Sequence, residues 1–99
     1  MIPPNDIARR RGEIEALIAD DDIPQAIKRS LDFVRDFSEE HDYLNEVIVI
    51  SAGYTRLDKV ERRNTLPFWD IEQQRNRLLH QVLGVIDSVQ QEVGLRMAV

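Results

Sequence analysis

The chain has 99 residues, of which 42% are hydrophobic and 31% are charged, and this composition suits one folded domain. Its formal net charge of −5 argues against nucleic acid as a partner, because phosphate backbones repel an acidic protein unless its basic residues are segregated. The absence of cysteine excludes disulfides and thiolate chemistry. We expect residues 1–99 to form a single domain with its core at about residues 5–94.

No stretch of the sequence predicts an association with a membrane. The apolar runs fall short of the roughly 20 residues that a membrane-spanning helix needs. Residues 1–6 lack the basic and apolar regions of a signal peptide. We therefore expect no membrane partner and a cytoplasmic location.

The first two predicted helices meet at an acidic turn. The first helix opens near Asn5 or Asp6, either of which can cap its free amides. Its apolar stripe is Ile7, Ile14, Leu17 and Ile18. The acids at residues 20–22 end this helix, because negative charge at a helix C-terminus opposes the macrodipole. Asp22 can then cap the second helix, which is predicted over about residues 24–39.

The third predicted helix follows a turn at residues 39–42 and extends to about Val60. Its apolar positions are Leu44, Val47, Ile48, Tyr54, Leu57 and Val60. The β-branched run at residues 47–50 favours a strand locally. We reject a strand, because helical spacing continues on both sides and the sequence offers no partner strand. Gly53 costs about 1 kcal/mol in a helix interior, so it predicts close contact with a neighbouring helix.

The break at residues 64–67 separates the third helix from the fourth, because Pro67 disfavours the helical conformation at Leu66. The fourth predicted helix is the longest, and its apolar stripe is Ile71, Leu78, Val82, Val85, Val89 and Val93. Gly94 predicts its end, and residues 95–99 a frayed tail. Four long helices with short connections predict an all-α fold, an antiparallel four-helix bundle.

No group of side chains in the sequence predicts catalysis, a cofactor or a metal ion. His41 and His80 are too far apart to form a helical ligand pair, and residues 20–22 lack the spacing of a calcium loop. The serines have no nucleophile elbow around them, and the four isolated glycines form no phosphate-binding loop. We expect a protein that is not an enzyme, with no catalytic residue, no cofactor and no metal ligand.

Charge is distributed unevenly along the chain. Residues 20–46 contain nine acids and three bases, whereas residues 56–77 contain six bases and four acids. Opposite patches permit the acidic side of one copy to dock on the basic corner of the next, although ordinary mixing of surface charge explains the pattern equally well. Phe68 and Trp69 beside the arginines are typical interface anchors, or else a lid over the third and fourth helices. The candidate partner-binding residues are Arg62, Arg63, Phe68, Trp69, Arg75, Arg77, Asp32 and Asp36.

Several segments taken together resemble a known family. They are residues 17–27 (LIADDDIPQAI), Leu44-Asn45, residues 51–54 (SAGY), Leu57 with Arg62-Arg63, residues 64–66 (NTL) and Glu72 with residues 75–78 (RNRL). Over about residues 14–89 the chain resembles the effector-associated domains of bacteria, in particular their eleventh subtype. The most specific match is the arginine-asparagine-arginine signature at residues 75–77. Residues 67–69 depart from the family's usual serine or threonine cap followed by acids, so the resemblance does not define how the last helix starts.

This resemblance implies a function. Effector-associated domains are adaptors in bacterial conflict and immune signalling, where they recruit or couple proteases, NTPases and TIR-type effectors. The implied partner is a protein with a similar domain or an effector, bound by homotypic or heterotypic helical docking, and we expect a homo-oligomer. The signature also has a structural explanation, in which one of Arg75 and Arg77 pairs with an acid of the third helix while the other stays free. Asn76 then fixes the turn at residues 64–65.

Two other functions are compatible with the sequence. The first is a plain oligomerisation domain whose fourth helix zips against its copy. That zipper would use Leu78, Val82, Val85 and Val89. The second is a nucleic-acid-binding regulator led by the arginines at residues 9–11 and at residues 62–63, although a solvated helix face explains the first of these runs more simply.

Overall fold

The computed structural model describes residues 4–97, with side chains from residue 6 onward. The described residues form four α-helices, α1 (Pro4–Ala19), α2 (Ile23–Phe37), α3 (His41–Arg63) and α4 (Phe68–Met97). The predicted all-α fold is confirmed, and residues 47–50 lie within a helix rather than a strand. Because α1 begins at Pro4, Asp6 lies in its first turn rather than at a cap, and the side chain of Asn5 lies outside the described residues.

The acidic turn between α1 and α2 ends the first helix through its backbone. Asp21 has a φ of 61°, a left-handed conformation that Asp adopts more readily than most residues other than glycine. The Asp21 N–H donates to the Ile18 carbonyl at 3.0 Å, and the Asp22 N–H donates to the Leu17 carbonyl at 2.9 Å. These two bonds form a Schellman motif. Asp22 directly precedes α2, as predicted, but its side chain makes no capping hydrogen bond.

The turn between α2 and α3 is held by the last part of α4. The Glu92 carboxylate accepts hydrogen bonds from the Ser38 hydroxyl at 2.7 Å and from the Glu39 N–H at 3.1 Å. Arg96 forms an ion pair with Glu39 at 2.9 Å and donates to the Phe37 carbonyl. The exposed backbone between two helices is therefore satisfied by side chains of a third.

Three predicted helix boundaries need correction. α2 ends at Phe37, before the predicted limit, and α3 begins at His41, inside the predicted turn. α4 continues through Gly94 to Met97, so the predicted end at Gly94 is wrong. The buried side chain of Val93 and the anchored Arg96 outweigh the roughly 1 kcal/mol that glycine costs a helix. The predicted frayed tail is therefore helical as far as it is described, and residues 98–99 lie outside the described residues.

One face of each helix contributes to a single core. Its largest fully buried apolar side chains are Ile14, Phe33, Val34, Val47, Val82, Ile86 and Val89. The rings of Phe33 and Phe37 pack edge to face, with centroids 4.9 Å apart and planes inclined by 61°. The buried Ser30 hydroxyl donates to the Ala26 carbonyl at 2.7 Å. Within the described residues no buried polar side-chain atom lacks a hydrogen-bond partner.

Contacts between helix ends define the direction of neighbouring helices. Arg10 near the start of α1 pairs with Asp36 near the end of α2 at 2.7 Å. Arg75 near the start of α4 pairs with Glu61 near the end of α3. Each of these pairs has the arrangement of antiparallel neighbours in a bundle.

The first two helices cover only part of the longer pair. α1 and α2 contain 16 and 15 residues, whereas α3 and α4 contain 23 and 30. Every residue from 61 to 70 is exposed, and the molecule measures 51 × 25 × 16 Å. The end of α3 and the start of α4 therefore project as a helical hairpin beyond the rest of the bundle.

Gly53 lies where α3 approaches α4 closely, as predicted. A Cβ placed on Gly53 with ideal geometry lies 3.4 Å from a methyl carbon of Leu78. A side chain larger than alanine at this position would push against α4.

The apolar stripe of α4 lies inside the domain. Val82, Val85 and Val89 are buried among residues of the other helices, and Leu78 packs against the same core. The alternative in which this stripe zips against a second copy is therefore wrong, because these side chains already fill the core of their own chain.

Truncation of Phe33 is expected to be strongly destabilising. Phe33→Ala removes a fully buried ring and should lower the free energy of unfolding by about 3–5 kcal/mol. Val49→Ala truncates a side chain that is 65% exposed, and it should change this free energy by less than about 0.5 kcal/mol. Urea denaturation followed by circular dichroism measures both changes, and similar losses in the two variants would contradict the core described above.

Candidate interaction surface

The projecting hairpin carries two uncovered aromatic side chains. We define the hairpin tip as residues 56–77, which include the end of α3, the connection and the start of α4. Phe68 is 73% exposed, Trp69 is 66% exposed, and Leu66 in the connection is also exposed. These rings do not form the lid over α3 and α4 that the sequence allowed. An exposed apolar cluster with a polar surround is typical of an interaction site.

The hairpin tip has more unpaired cations than unpaired carboxylates. Arg62 pairs with Asp58 at 3.1 Å, and Arg75 pairs with Glu61 and Glu72. Within the described residues, the cations of the tip that form no ion pair are Arg56, Lys59, Arg63 and Arg77. Asp70 is the one acid of the tip that forms no ion pair within the described residues. The exposed rings therefore share the tip with net positive charge.

Arg75 ties α4 to α3. Its side chain is 15% exposed, and its guanidinium contacts Glu61 at the end of α3 and Glu72 on α4. Burial alone lowers the pKa of Arg75, but the hydrogen bond to Glu61 and the charges of Glu61 and Glu72 outweigh burial. The pKa of Arg75 therefore lies above its ordinary value. The side chain has a structural role as a clamp between two helices.

The other members of the signature point to solvent. Arg77 is exposed and forms no ion pair among residues 6–97, so the predicted division between one paired and one free arginine is confirmed. Asn76 is also exposed, and no hydrogen bond joins its side chain to residues 64–65 in the part of the chain that the structure describes. Arg77 is therefore available to a partner, and the predicted role of Asn76 in the turn is wrong.

Tyr54 lies at the base of the projecting hairpin, where the α1–α2 turn approaches α3. Burial raises the pKa of the Tyr54 hydroxyl above its ordinary value of 10.0, Arg75 opposes this shift, and Asp58 and Asp21 add to it. The hydroxyl is protonated at neutral pH, as is that of any tyrosine whose pKa lies near or above 10.0. The stability that the neutral Tyr54 hydroxyl contributes is complete at pH values below the pKa of Tyr54 in the unfolded chain. This contribution is lost as pH rises through the higher pKa of Tyr54 in the folded protein.

A groove of about 630 Å³ runs along the hairpin tip between α3 and α4. Val60 and Leu66 contribute apolar walls, and Arg56, Arg77 and Asp70 contribute charged groups. The combination of an apolar lining with two free guanidinium groups suits an apolar segment that carries carboxylates.

The acids predicted to bind a partner lie on α2 and already have partners within the chain. Asp32 pairs with Arg35 at 3.4 Å, and Asp36 pairs with Arg10 of α1 at 2.7 Å. The Arg10 guanidinium also lies 5.0 Å from the centre of the Phe37 ring. The structure therefore separates Asp32 and Asp36 from the predicted basic residues and gives Asp36 a role in holding α1 to α2.

A second groove lies on the outer side of α3 and α4 and was not predicted from the sequence. This seam groove has a volume of about 440 Å³ and is lined by Tyr43, Glu46, Ile50, Gln81, Gly84, Val85 and Ser88. A Cβ placed on Gly84 has no atom within 4 Å, so the groove is open at this point. Small residues four positions apart on α4, Gly84 and Ser88, are the sequence signal of the gap. That signal does not reveal which face of the helix stays uncovered.

Unpaired acids accumulate at the same end of the molecule as the seam groove. Glu46 lies in the wall of the groove, and Glu40 and Asp42 lie at the start of α3. All are exposed, and none forms an ion pair within the described residues. The start of α3 thus carries free negative charge, and its far end carries free positive charge.

The arginines at residues 9–11 are all engaged in ion pairs. Arg9 pairs with acids of α1 itself, Arg10 pairs with Asp36 of α2, and Arg11 pairs with Asp87 of α4. These pairs attach α1 to the bundle, so the guanidinium groups of residues 9–11 serve contacts within the chain.

The histidines and carboxylates form no metal-binding cluster in the part of the chain that the structure describes. No group of three or more such side chains there is arranged to hold a metal ion. His41 and His80 are both exposed and lie on different helices. Among the helices of residues 4–97, none combines the length and the apolar character that crossing a bilayer demands.

Loss of the Arg75 charge is expected to loosen the hairpin tip. Arg75→Gln leaves Glu61 and Glu72 without their cation, and it should lower the free energy of unfolding by about 1 kcal/mol. Arg77→Gln removes the same charge from an exposed position and should change stability by only a few tenths of a kcal/mol. Denaturant unfolding measures the difference, and hydrogen exchange should be faster in the tip of the Arg75 variant alone. Equal destabilisation by both substitutions would refute the clamp.

Comparison with known proteins identifies one family. The family model described as effector-associated domain 11 matches residues 9–90, a segment that includes most of α1, all of α2 and α3, the hairpin tip and most of α4. Searches of curated proteins and of solved structures found no match. The family match covers well over half of the chain and agrees with the resemblance of residues 14–89 noted in the sequence. The chain therefore belongs to the effector-associated domain 11 family.

Proposed function

We propose that this protein is a non-enzymatic adaptor that recruits or couples effector proteins in bacterial conflict or immune signalling. The effectors are proteases, NTPases or TIR-type proteins, and docking takes place on a similar domain or on the effector itself. The observation that carries this proposal is the hairpin tip, where the exposed rings of Phe68 and Trp69 lie on the same projection as unpaired cations.

The chemistry of the hairpin tip supports docking on a protein. Tryptophan and arginine are enriched among the residues that dominate binding energy at interfaces. A buried aromatic side chain removes roughly 150–250 Å² from water. At about 25 cal/mol per Å², Phe68 and Trp69 each offer a few kcal/mol of favourable free energy before the entropic costs of association.

The shape of the molecule also supports an adaptor. The core side chains of the bundle pack against one another, so docking on exposed side chains does not require the fold to open. The tip projects from that core and can contact a partner's surface while the remaining helices stay unchanged. The bundle thus serves as a rigid base for a small binding element.

Family membership supports the link to effectors. We propose that the protein binds effectors and is not an effector itself. In this role it holds partners together and performs no reaction itself. We further propose that it acts in the cytoplasm, a reducing compartment that suits a chain without cysteine.

Substitutions in the hairpin tip are expected to weaken effector binding without unfolding the domain. Trp69→Ala and Arg77→Glu should each reduce affinity at least tenfold, or by about 1.4 kcal/mol. The measurement is biolayer interferometry of the full chain against full-length effector proteins that carry effector-associated domains. Arg77→Glu should also reduce the dependence of affinity on salt, since it removes an attractive charge.

The matched control for Trp69→Ala is Val49→Ala. Val49 is exposed to nearly the same extent, at 65% against 66%, and it lies outside the hairpin tip and the seam groove. Circular dichroism should give the same helix content for all variants. Effector binding that survives both tip substitutions, or that Val49→Ala weakens equally, would contradict the assignment of the tip as the docking surface.

A further inference from the structure

We infer that the hairpin tip of one copy docks into the seam groove of a second copy, so that copies of this chain associate head to tail. The inference rests on the proposed function, because it takes the tip as the docking surface and names what the tip binds. Its support comes from the exposed rings and free cations of the tip, together with the apolar walls and free carboxylate of the groove.

The tip presents an aromatic knob together with free positive charge. Phe68 and Trp69 are the first residues of α4, and among the described residues they are the most exposed of the Phe, Tyr and Trp side chains. Arg63, at the end of α3, and Arg77, on α4, form no ion pair within that part of the chain. A surface of this kind is complementary to an apolar recess bordered by carboxylates.

The seam groove presents those complementary features. Ile50 and the ring of Tyr43 give it apolar walls, the missing side chain at Gly84 leaves an opening, and Glu46 supplies a free carboxylate. Its volume of about 440 Å³ lies within the range of roughly 300–1,000 Å³ typical of pockets for small-molecule ligands. The groove is therefore suited to receive one aromatic side chain such as that of Trp69.

Charge selects the orientation of the two copies. Glu40 and Asp42 extend the negative charge beyond the seam groove, while the tip itself has six bases and four acids. The unpaired acids at residues 20–22 lie at the base of the hairpin, near Tyr54, and not on the tip. Tip against tip or groove against groove would place like charges together, which is unfavourable. With a net charge of −5, two copies repel each other at long range unless their opposite ends are aligned.

The two surfaces cannot satisfy each other within one chain. From Glu46 to its end at Arg63, α3 rises roughly 25 Å at about 1.5 Å per residue, and a straight helix holds the groove and the tip apart. Docking must therefore join different copies. It leaves a free tip at one end and a free groove at the other, so the assembly extends as an open chain or closes into a ring.

The first test fills the groove without weakening the fold. Gly84 lies in a helix with open space around its Cβ position, so Gly84→Gln should preserve or raise the melting temperature while blocking the groove. Gly12→Gln is the matched control, since Gly12 is also helical and has nothing within 4 Å of its Cβ position. The average mass from size exclusion with light scattering should rise with concentration for wild type and for Gly12→Gln. The Gly84→Gln variant should remain a monomer.

The second test mixes two blocked variants. Trp69→Ala combined with Arg77→Glu blocks the tip but keeps the groove, whereas Gly84→Gln blocks the groove but keeps the tip. Each variant alone should be monomeric at concentrations where wild type assembles. Their equimolar mixture should form a dimer of one copy each and nothing larger, and added salt should dissociate it.

Two results would overturn the inference. One is wild-type protein that stays monomeric at every concentration and salt. The other is a Gly84→Gln variant that assembles as wild type does. Neither result affects the adaptor proposal, which fails separately if the tip substitutions leave effector binding unchanged.

Discussion

The packing of a short helical hairpin on a longer one is the constraint from which the exposed features of this molecule follow. α1 and α2 turn back at Asp21, close to Tyr54, while α3 and α4 continue beyond that level to residues 61–70, all of which are exposed. A two-helix projection cannot cover all of its apolar side chains, and it relies on the Arg75 clamp to hold its helices together. The same lack of cover leaves Phe68 and Trp69 in contact with water.

Charged residues divide into those that hold the bundle together and those that remain for recognition. Arg10 and Arg11 connect α1 to α2 and α4, and Arg96 connects α4 to the α2–α3 turn. Among the described residues, the charges without an ion pair include acids such as Asp42 at the start of α3 and bases such as Arg63 at its end. Others lie in the α1–α2 turn, at residues 20–22, and on α2, at Lys28 and Arg29. Local pairing therefore leaves free charge of opposite sign at the two ends of α3.

Features determined by local spacing could be predicted from the sequence, and features determined by packing could not. The break before Pro67 and the buried stripe around Val82 depend on nearby residues, and both were predicted correctly. The end of α4 was misplaced at Gly94 because it depends on contacts with a distant turn. The ion pair of Asp36 with Arg10 could not be predicted, because it requires α1 to lie beside α2. The seam groove around Gly84 was missed, since a gap becomes a groove only where no neighbouring helix fills it.

The attachment of the α2–α3 turn to α4 has a consequence for biosynthesis. Glu92 and Arg96 satisfy the backbone of that turn, and Val93 completes the adjoining core. During translation these side chains emerge well after α1, α2 and α3, which until then lack the helix that covers their apolar faces. The bundle can therefore close only after residues 82–97 have left the ribosome, and the nascent chain must stay unaggregated until that moment.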